Sequence, residues 1–298
     1  MATAPILEDR AEFGMVLMLA AWLMFALVDT GAKWVAVAGL SAAQIAFFRY
    51  AGHFAVNLVQ FARRPDRDIF QSPYLGLILI RGALLVAATF SNFYVLRFLP
   101  LTTVSAIMFT SPVIVCFLSV IFLKERVGLW RWSAILLGFI GVLVVIRPIG
   151  AAFHPAMLLV VMNATFLAIY SLLTRRLADK VSADTMQFHM GLLGTVVLLP
   201  PAILSWQSTD TIGWLALIAI GPIAWFGHQM LTTAHRFATA NTLMPFTYSF
   251  LLYLTVLSYL VFGDLPDLFT LLGAAIIMAS GLIIWRRERL RTRIRVQT

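Results

Sequence analysis

Asp29 and Lys33 stand four residues apart, and Arg49, His53, Asn57 and Gln60 recur every three or four residues, all inside stretches that are otherwise almost wholly apolar. A charge at the bilayer centre costs about 2.5 to 3.5 kcal/mol on insertion scales, so ionisable groups in such stretches face inward and often mark a pathway. Asp29 and Lys33 could offer opposite charges to a zwitterion. A self-neutralised pair that snorkels to the interface is the competing reading. The Arg49 stripe must avoid lipid, either to meet a solute or to hydrogen-bond one helix to another. Asp29, Lys33, Arg49 and His53 are therefore the candidate gating or polar-pathway residues.

A second constellation mixes small polar groups with single aromatics. Thr102, Ser105, Phe109 and Pro112 share one helical face, and an offset of 139 residues carries that face to Asn241, Met244 and Tyr248. Such lining suits a pocket that holds a partly apolar solute and releases it again. Helix packing with incidental hydroxyls is an equal alternative. The candidate substrate-binding set is Thr102, Ser105, Phe109, Asn241 and Tyr248, with Trp22, Tyr94 and Trp225. Phe25, Phe90 and Tyr170 could line the same space, although aromatics also belong at lipid interfaces. Pro112, Pro222 and Pro245 are expected to kink their helices and free carbonyls.

Catalytic chemistry is not legible. His154, His189, His228 and His235 are scattered without a His-Glu-x-x-His run, and neither a Gly-x-Ser-x-Gly elbow nor a phosphate-binding Walker loop is present. No catalytic residues, metal site or cofactor are expected, which excludes the common hydrolases and ATP-driven pumps. The single cysteine, Cys116, leaves no disulfide framework.

The elements that must position these residues are membrane spans. Leu101 to Leu123 is 23 residues without a charge, enough at about 1.5 Å per residue to cross roughly 30 Å of hydrocarbon. The chain of 298 residues is 61% hydrophobic and 12% charged, with a mean hydropathy of +0.92, which leaves little room for a soluble domain. Apolar segments near 13–35, 43–62, 74–96, 101–123, 129–146, 155–174, 184–205, 212–234, 240–262 and 267–285 predict ten transmembrane helices. The first lacks the basic flank and cleavage pattern of a signal peptide and is expected to be retained. With a cytoplasmic N-terminus, 17 Lys and Arg fall on the cytoplasmic side and three, Lys33, Arg97 and Arg147, on the other. That asymmetry predicts a multi-pass protein of the inner (plasma) membrane with both termini cytoplasmic. The net charge of +9 resides largely in the tail "WRRERLRTRIRVQT", so the expected macromolecular partner is anionic lipid rather than nucleic acid.

Arg97 and Phe98 return as Arg236 and Phe237, and the same offset of 139 carries Thr103 to Thr242, Glu125 to Asp264 and Arg147 to Arg286. Five spans per half is an odd number, so a second copy must cross in the opposite sense. The expected domains are 1–150 and 151–298, an inverted repeat of the kind that serves alternating access in secondary transporters.

The stretch "LRFLPLTTVSAIMFTSPVIVCFLSVIFLKERVGLWRWSAILLGFIGVLVVIRPIG", residues 96–150, resembles the end of an EamA-type half in the drug/metabolite transporter superfamily. It shares Leu-Arg then Leu-Pro, a proline in the fourth helix, a Glu-Arg after it, a glycine-rich fifth helix and a closing Arg-Pro. "FFRY" at 47–50 and "TRRLADK" at 174–180 extend the likeness. Asp264 replaces Glu in the second half, and Leu251 stands where the repeat would put Pro112. The resemblance implies an all-α membrane protein of ten helices, two inverted five-helix EamA repeats around a central cavity, and transport of a small metabolite. The chain is similar to YddG-type amino-acid exporters, including aromatic ones, so outward transport of amino acids is expected. Importers of riboflavin or S-adenosylmethionine share the pattern, and an intramembrane enzyme is the remaining alternative. Helices 5 and 10, with Gly138, Gly141, Gly273 and Gly281, read as packing or dimer-contact helices, consistent with a monomer or weak homodimer.

Overall fold

The computed structural model describes residues 11–63, 72–111, 113–115, 117–118, 129–147, 153–177, 180–238 and 243–297. Its described residues hold ten α-helices and no strand: α1 Ala11–Val37, α2 Ala42–Arg63, α3 Leu75–Val95, α4 Leu101–Met108, α5 Leu129–Ile146, α6 Ala156–Leu177, α7 Ala183–Leu204, α8 Thr211–Phe237, α9 Ser249–Phe262 and α10 Leu268–Gln297. Among them, α1, α3, α6, α7 and α8 contain stretches long and apolar enough to cross a membrane. The predicted second span, α2, is not in that group, because Arg49, His53, Asn57 and Gln60 dilute its apolar content.

Two of the predicted spans are not uninterrupted α-helix. Helix α4 gives way to a turn at Phe109 and Thr110 before helical residues resume at Ser111. Proline at position 112 offers no amide to the Met108 carbonyl four residues back, and the Thr110 hydroxyl and amide both donate to the Ile107 carbonyl, at 2.7 and 3.0 Å. The ninth span opens as a 3-10 turn, Met244–Tyr248, before α9 begins. Pro245 supplies no amide there either. Pro222, by contrast, sits inside an unbroken α8. Pro112 and Cys116 lie outside the described residues, as do Asn241, Thr242 and Glu125.

The chain divides into two compact units. Unit 1 comprises Met1–Leu27, Pro100–His154 and Phe226–Thr298, and unit 2 comprises Val28–Leu99 and Pro155–Trp225. Each draws on both halves of the sequence, and α1 and α8 contribute to both units. In unit 1, α5 lies along α10, and α4 packs on α5, α9 and α10. Glycines permit the close crossing: a Cβ at Gly141 would stand 2.7 Å from Ile277 and 3.0 Å from the Gly273 carbonyl. The Ser280 hydroxyl donates across this crossing to the Ala134 carbonyl at 2.6 Å. Helices 5 and 10 thus pack on each other, as their composition led us to expect.

In unit 2, α2 packs on α7 and α3, and α3 packs on α6 and α7. Helix α2 also meets α8 backbone to backbone, where a Cβ at Gly221 would fall 2.6 Å from the Gly52 Cα. That approach brings the next turns of both helices within side-chain reach. The Trp225 indole N–H donates to the Asn57 side-chain oxygen at 3.0 Å.

Candidate functional site: a polar seam and a ring pair

Unit 2 carries the buried ionisable residues Lys33, His53, Arg81 and His189. On α3, Arg81, Leu85, Thr89 and Asn92 recur at steps of three and four, so they share one face over roughly 16 Å at about 1.5 Å per residue. Asn163, Tyr170 and Thr174, at steps of seven and four, share a face of α6. The Asn92 amide donates to the Asp29 carboxylate at 3.4 Å, and the Asn163 amide reaches the Asn92 oxygen at 3.5 Å. Further along α3, an Arg49 Nη1–H donates to the Thr89 hydroxyl at 2.5 Å, and the Tyr50 and Thr89 hydroxyls lie 2.9 Å apart. At the other end, Arg81 donates through Nε to Thr174 at 2.6 Å and through Nη2 to Tyr170 at 2.5 Å, with its guanidinium 4.3 Å from the Tyr170 ring centroid. Arg49 interacts electrostatically with both Asp29 and His53. Lys33 and His53 are buried, at 6% and 2% exposure.

The two arginines differ in what they leave over. Among the described residues neither has a carboxylate in salt-bridge contact. Arg49 spends Nη1 on hydroxyls, while its buried Nε has no partner among the described residues. Nε and Nη2 form the side-on edge of a guanidinium, two parallel donors matched to a pair of adjacent acceptors. Arg81 has spent that edge on Thr174 and Tyr170, and only its buried Nη1 lacks a partner there.

Unit 1 holds the other constellation. Phe109 and Tyr248 meet with ring centroids 5.4 Å apart. The Tyr248 hydroxyl donates to the Met278 carbonyl at 3.4 Å, and Gly281 leaves the room for that hydroxyl. Thr102 is fully buried, its hydroxyl without a partner among the described residues, and the Ser105 hydroxyl donates back to the Thr102 carbonyl at 3.0 Å. Trp22 packs against Phe25 and Phe250 at 5.6 and 5.3 Å, and its buried indole N–H has no partner among the described residues.

The sequence-predicted residues therefore fall into two groups. Thr102, Ser105, Phe109, Tyr248 and Trp22 belong to unit 1. Asp29, Lys33, Arg49, His53, Tyr94 and Trp225 belong to unit 2. Tyr94 is exposed and meets Phe98 with ring centroids 5.3 Å apart, and Trp225 is tied to Asn57. Asn241 lies outside the described residues. Sequence reasoning passed over Arg81, Thr89, Asn92, Asn163 and Thr174. The available signal was their recurrence on one face of α3 and one face of α6. No group of three or more His, Cys, Asp or Glu side chains suited to a metal occurs among the described residues.

Ten helices among the described residues, five of them long and apolar enough to cross a membrane, define a polytopic membrane protein. The chain belongs to the EamA-like transporter family, which matches residues 12–147 and 154–286. It is 32% identical over 284 residues to a riboflavin transporter of Vibrio cholerae, covering 94% of this chain and 95% of that one. It is 29% identical to an S-adenosylmethionine uptake transporter of Rickettsia bellii, with 90% and 93% covered. A pseudopaline exporter of Pseudomonas aeruginosa is 24% identical, with 94% and 99% covered. One solved crystal structure shares the fold, with a TM-score of 0.62 at 17% identity over 94% of this chain and 99% of that one. The protein is a multi-pass membrane transporter of small molecules and not an enzyme.

Proposed function

We propose that this transporter takes up a neutral, planar heteroaromatic metabolite of the riboflavin kind. The observation that carries the reading is the unspent side-on edge of Arg49. Two parallel donors fit a ring edge that presents a carbonyl oxygen beside a ring nitrogen, as arginine does on guanine, and a flavin ring offers such an edge. Two more features support it. The relatives named above include a riboflavin transporter, and Arg49 and Arg81 outnumber Asp29 in the seam, which disfavours a cation such as S-adenosylmethionine.

The test is counterflow of labelled riboflavin into proteoliposomes. We expect saturable exchange, with S-adenosylmethionine failing to compete. Absence of riboflavin exchange would overturn the reading.

Outward transport of amino acids, the expectation from sequence, is retained as a second proposal because one observation favours it. The same Arg49 edge fits a carboxylate, and Asp29, within electrostatic reach of Arg49, suits an ammonium group. Competition by phenylalanine or tryptophan in the same assay separates the two. On either reading Thr102, Ser105, Phe109, Tyr248 and Trp22 in unit 1, with Asn241, Tyr94 and Trp225, remain proposed solute contacts.

The halves 1–150 and 151–298 are proposed to be inverted repeats that support alternating access, a reading favoured by the two stretches the family matches. We also propose an inner-membrane location with cytoplasmic termini and at most weak dimerisation. A reporter fused after Thr298 should then read cytoplasmic, and one near Gln207 external. The opposite result at Thr298 would require an odd number of spans.

A further inference from the structure

Helices α2 and α7 of unit 2 are bonded near both ends of their contact. At the start of α2 the fully buried Gln44 side chain grips one backbone unit twice: its Nε2 donates to the Gln207 carbonyl at 2.9 Å, and its Oε1 accepts the Gln207 amide N–H at 3.0 Å. Gln207 lies in the short connection from α7 to α8. Beside it the Ser41 and Ser205 hydroxyls stand 2.7 Å apart, and Ser41 accepts the Gln44 amide N–H at 3.1 Å. Phe48, Trp206 and Trp214 flank this join, with ring centroids 5.7 to 5.8 Å apart.

The contact continues along both helices. A Cβ at Gly194 would fall on the Tyr50 ring, and one at Gly191 would stand 3.2 Å from the Phe54 Cβ. Beyond them the Asn57 side-chain amide donates to the Gln187 carbonyl at 3.3 Å. Residues 41, 44, 50, 54 and 57 thus meet 205, 207, 194, 191 and 187 in turn, an antiparallel seam of roughly 24 Å at about 1.5 Å per residue. Parting the two helices would draw two rings out of glycine notches and strip the buried Gln44 amide of both its partners at once.

We propose that α2, α7 and the connection after α7 stay together as one rigid element through the transport cycle, with Gln44 as its clamp, so that access to the solute opens along other helix contacts. The consequence for transport rests on the alternating-access reading. The element itself does not, and it needs neither the riboflavin nor the amino-acid reading.

Hydrogen–deuterium exchange of the full-length protein in lipid nanodiscs tests the element without any solute. Gln44→Leu should speed exchange in segment 205–210 by about tenfold as the clamp is lost. A second variant joins the same end covalently: Ser41→Cys with Ser205→Cys, made in a Cys116→Ala background, since hydroxyls so close place the two side chains within disulfide reach. Oxidation then fixes what is already fixed, so exchange in the other helices should stay within about twofold of the reduced protein. Counterflow of riboflavin, S-adenosylmethionine or phenylalanine, whichever the reduced variant exchanges, should survive oxidation. The proposal would be overturned by unchanged exchange in Gln44→Leu, by a cysteine pair that does not close, or by a disulfide that slows exchange in the other helices. Transport lost on oxidation and restored by reductant would overturn it too. The exchange measurements decide it whether or not riboflavin is the solute.

Discussion

In unit 1 the groups that meet are rings and glycine backbones, and its hydroxyls mostly bond back to their own helix, as Ser105 and Thr110 do to the carbonyls of Thr102 and Ile107. Unit 2 has such back-bonds too, as from Thr174 to Tyr170, but adds side-chain bonds between helices: Arg49 to Thr89, Arg81 to Tyr170 and Thr174, Trp225 to Asn57, Asn92 to Asp29. The helices of the two units are thus held in two ways. Close packing of apolar groups is sensitive to volume, since a void or an extra methyl has nowhere to go. An interhelical hydrogen bond inside a membrane averages only about 0.6 kcal/mol, because alternative partners exist before folding. The comparison predicts that volume changes in unit 1 lower stability, whereas polar changes in unit 2 alter transport at little cost to stability.

The largest stability effect should come from Phe109→Ala, which empties the space against Tyr248 and should cost about 3 kcal/mol. If Phe109 and Tyr248 also flank the solute, Phe109→Ala and Tyr248→Ala will weaken transport of large ring-bearing solutes more than that of small polar ones. Equal loss for all solutes would leave the pair as packing alone. Gly141→Val should follow at about 2 kcal/mol, because the Gly273 carbonyl and Ile277 cannot both move away. A melting temperature unchanged in either variant would break the contrast between the units.

The sequence made one of these contacts readable and hid others. Phe109 and Tyr248 could be paired because the 139-residue offset aligns them, and spans such as Leu75–Val95 could be placed because apolar runs end at charges and turn residues. The prolines at 112 and 245 pointed to irregular backbone nearby, and the turn at Phe109 and Thr110 and the 3-10 start at Met244 lie beside them. Their form was less accessible, because proline also sits inside the unbroken α8 at Pro222. Arg81, Tyr170 and Thr174 meet across about ninety residues of chain, and nothing local to α3 indicates which helix supplies the hydroxyls.

Asp29 tests the other side of the comparison. The first span has no acid between Phe13 and Val28, and Asp29 is bonded to an asparagine, so flux is expected to follow the solute gradient. Asp29→Asn should change uptake by less than about tenfold and leave its response to an imposed pH gradient unaltered. Uptake that requires the gradient and vanishes in this variant would assign Asp29 to proton coupling.

The smallest effect should come from Asp267, at the start of α10, where the carboxylate pairs with Arg147 and accepts the Thr270 amide N–H at 2.7 Å. Burial pushes the Asp267 carboxyl up, but the hydrogen bonds from Thr270 and Arg147, together with the Arg147 charge, outweigh it and hold the group below the ordinary carboxylate range. A depressed pKa contributes stability above the unfolded value of about 3.9 and loses it as pH falls through the folded one. Asp267→Asn should therefore lower stability slightly at pH 7, by no more than about 0.5 kcal/mol for so exposed a pair. The difference from wild type should disappear in strong acid. A difference that grows on acidification would contradict this sign.

The central claim is that the side-on edge of Arg49 recognises two adjacent acceptors on the solute, and equilibrium binding of riboflavin to the protein in nanodiscs, followed by flavin fluorescence, measures it most directly. Lysine keeps the charge but offers a point rather than two fixed parallel donors. Arg49→Lys should weaken binding by about thirtyfold, the equivalent of roughly 2 kcal/mol for one lost charge-assisted bond, with a melting temperature within about 2 °C of wild type. Wild-type affinity in Arg49→Lys, with the protein folded, would contradict the account.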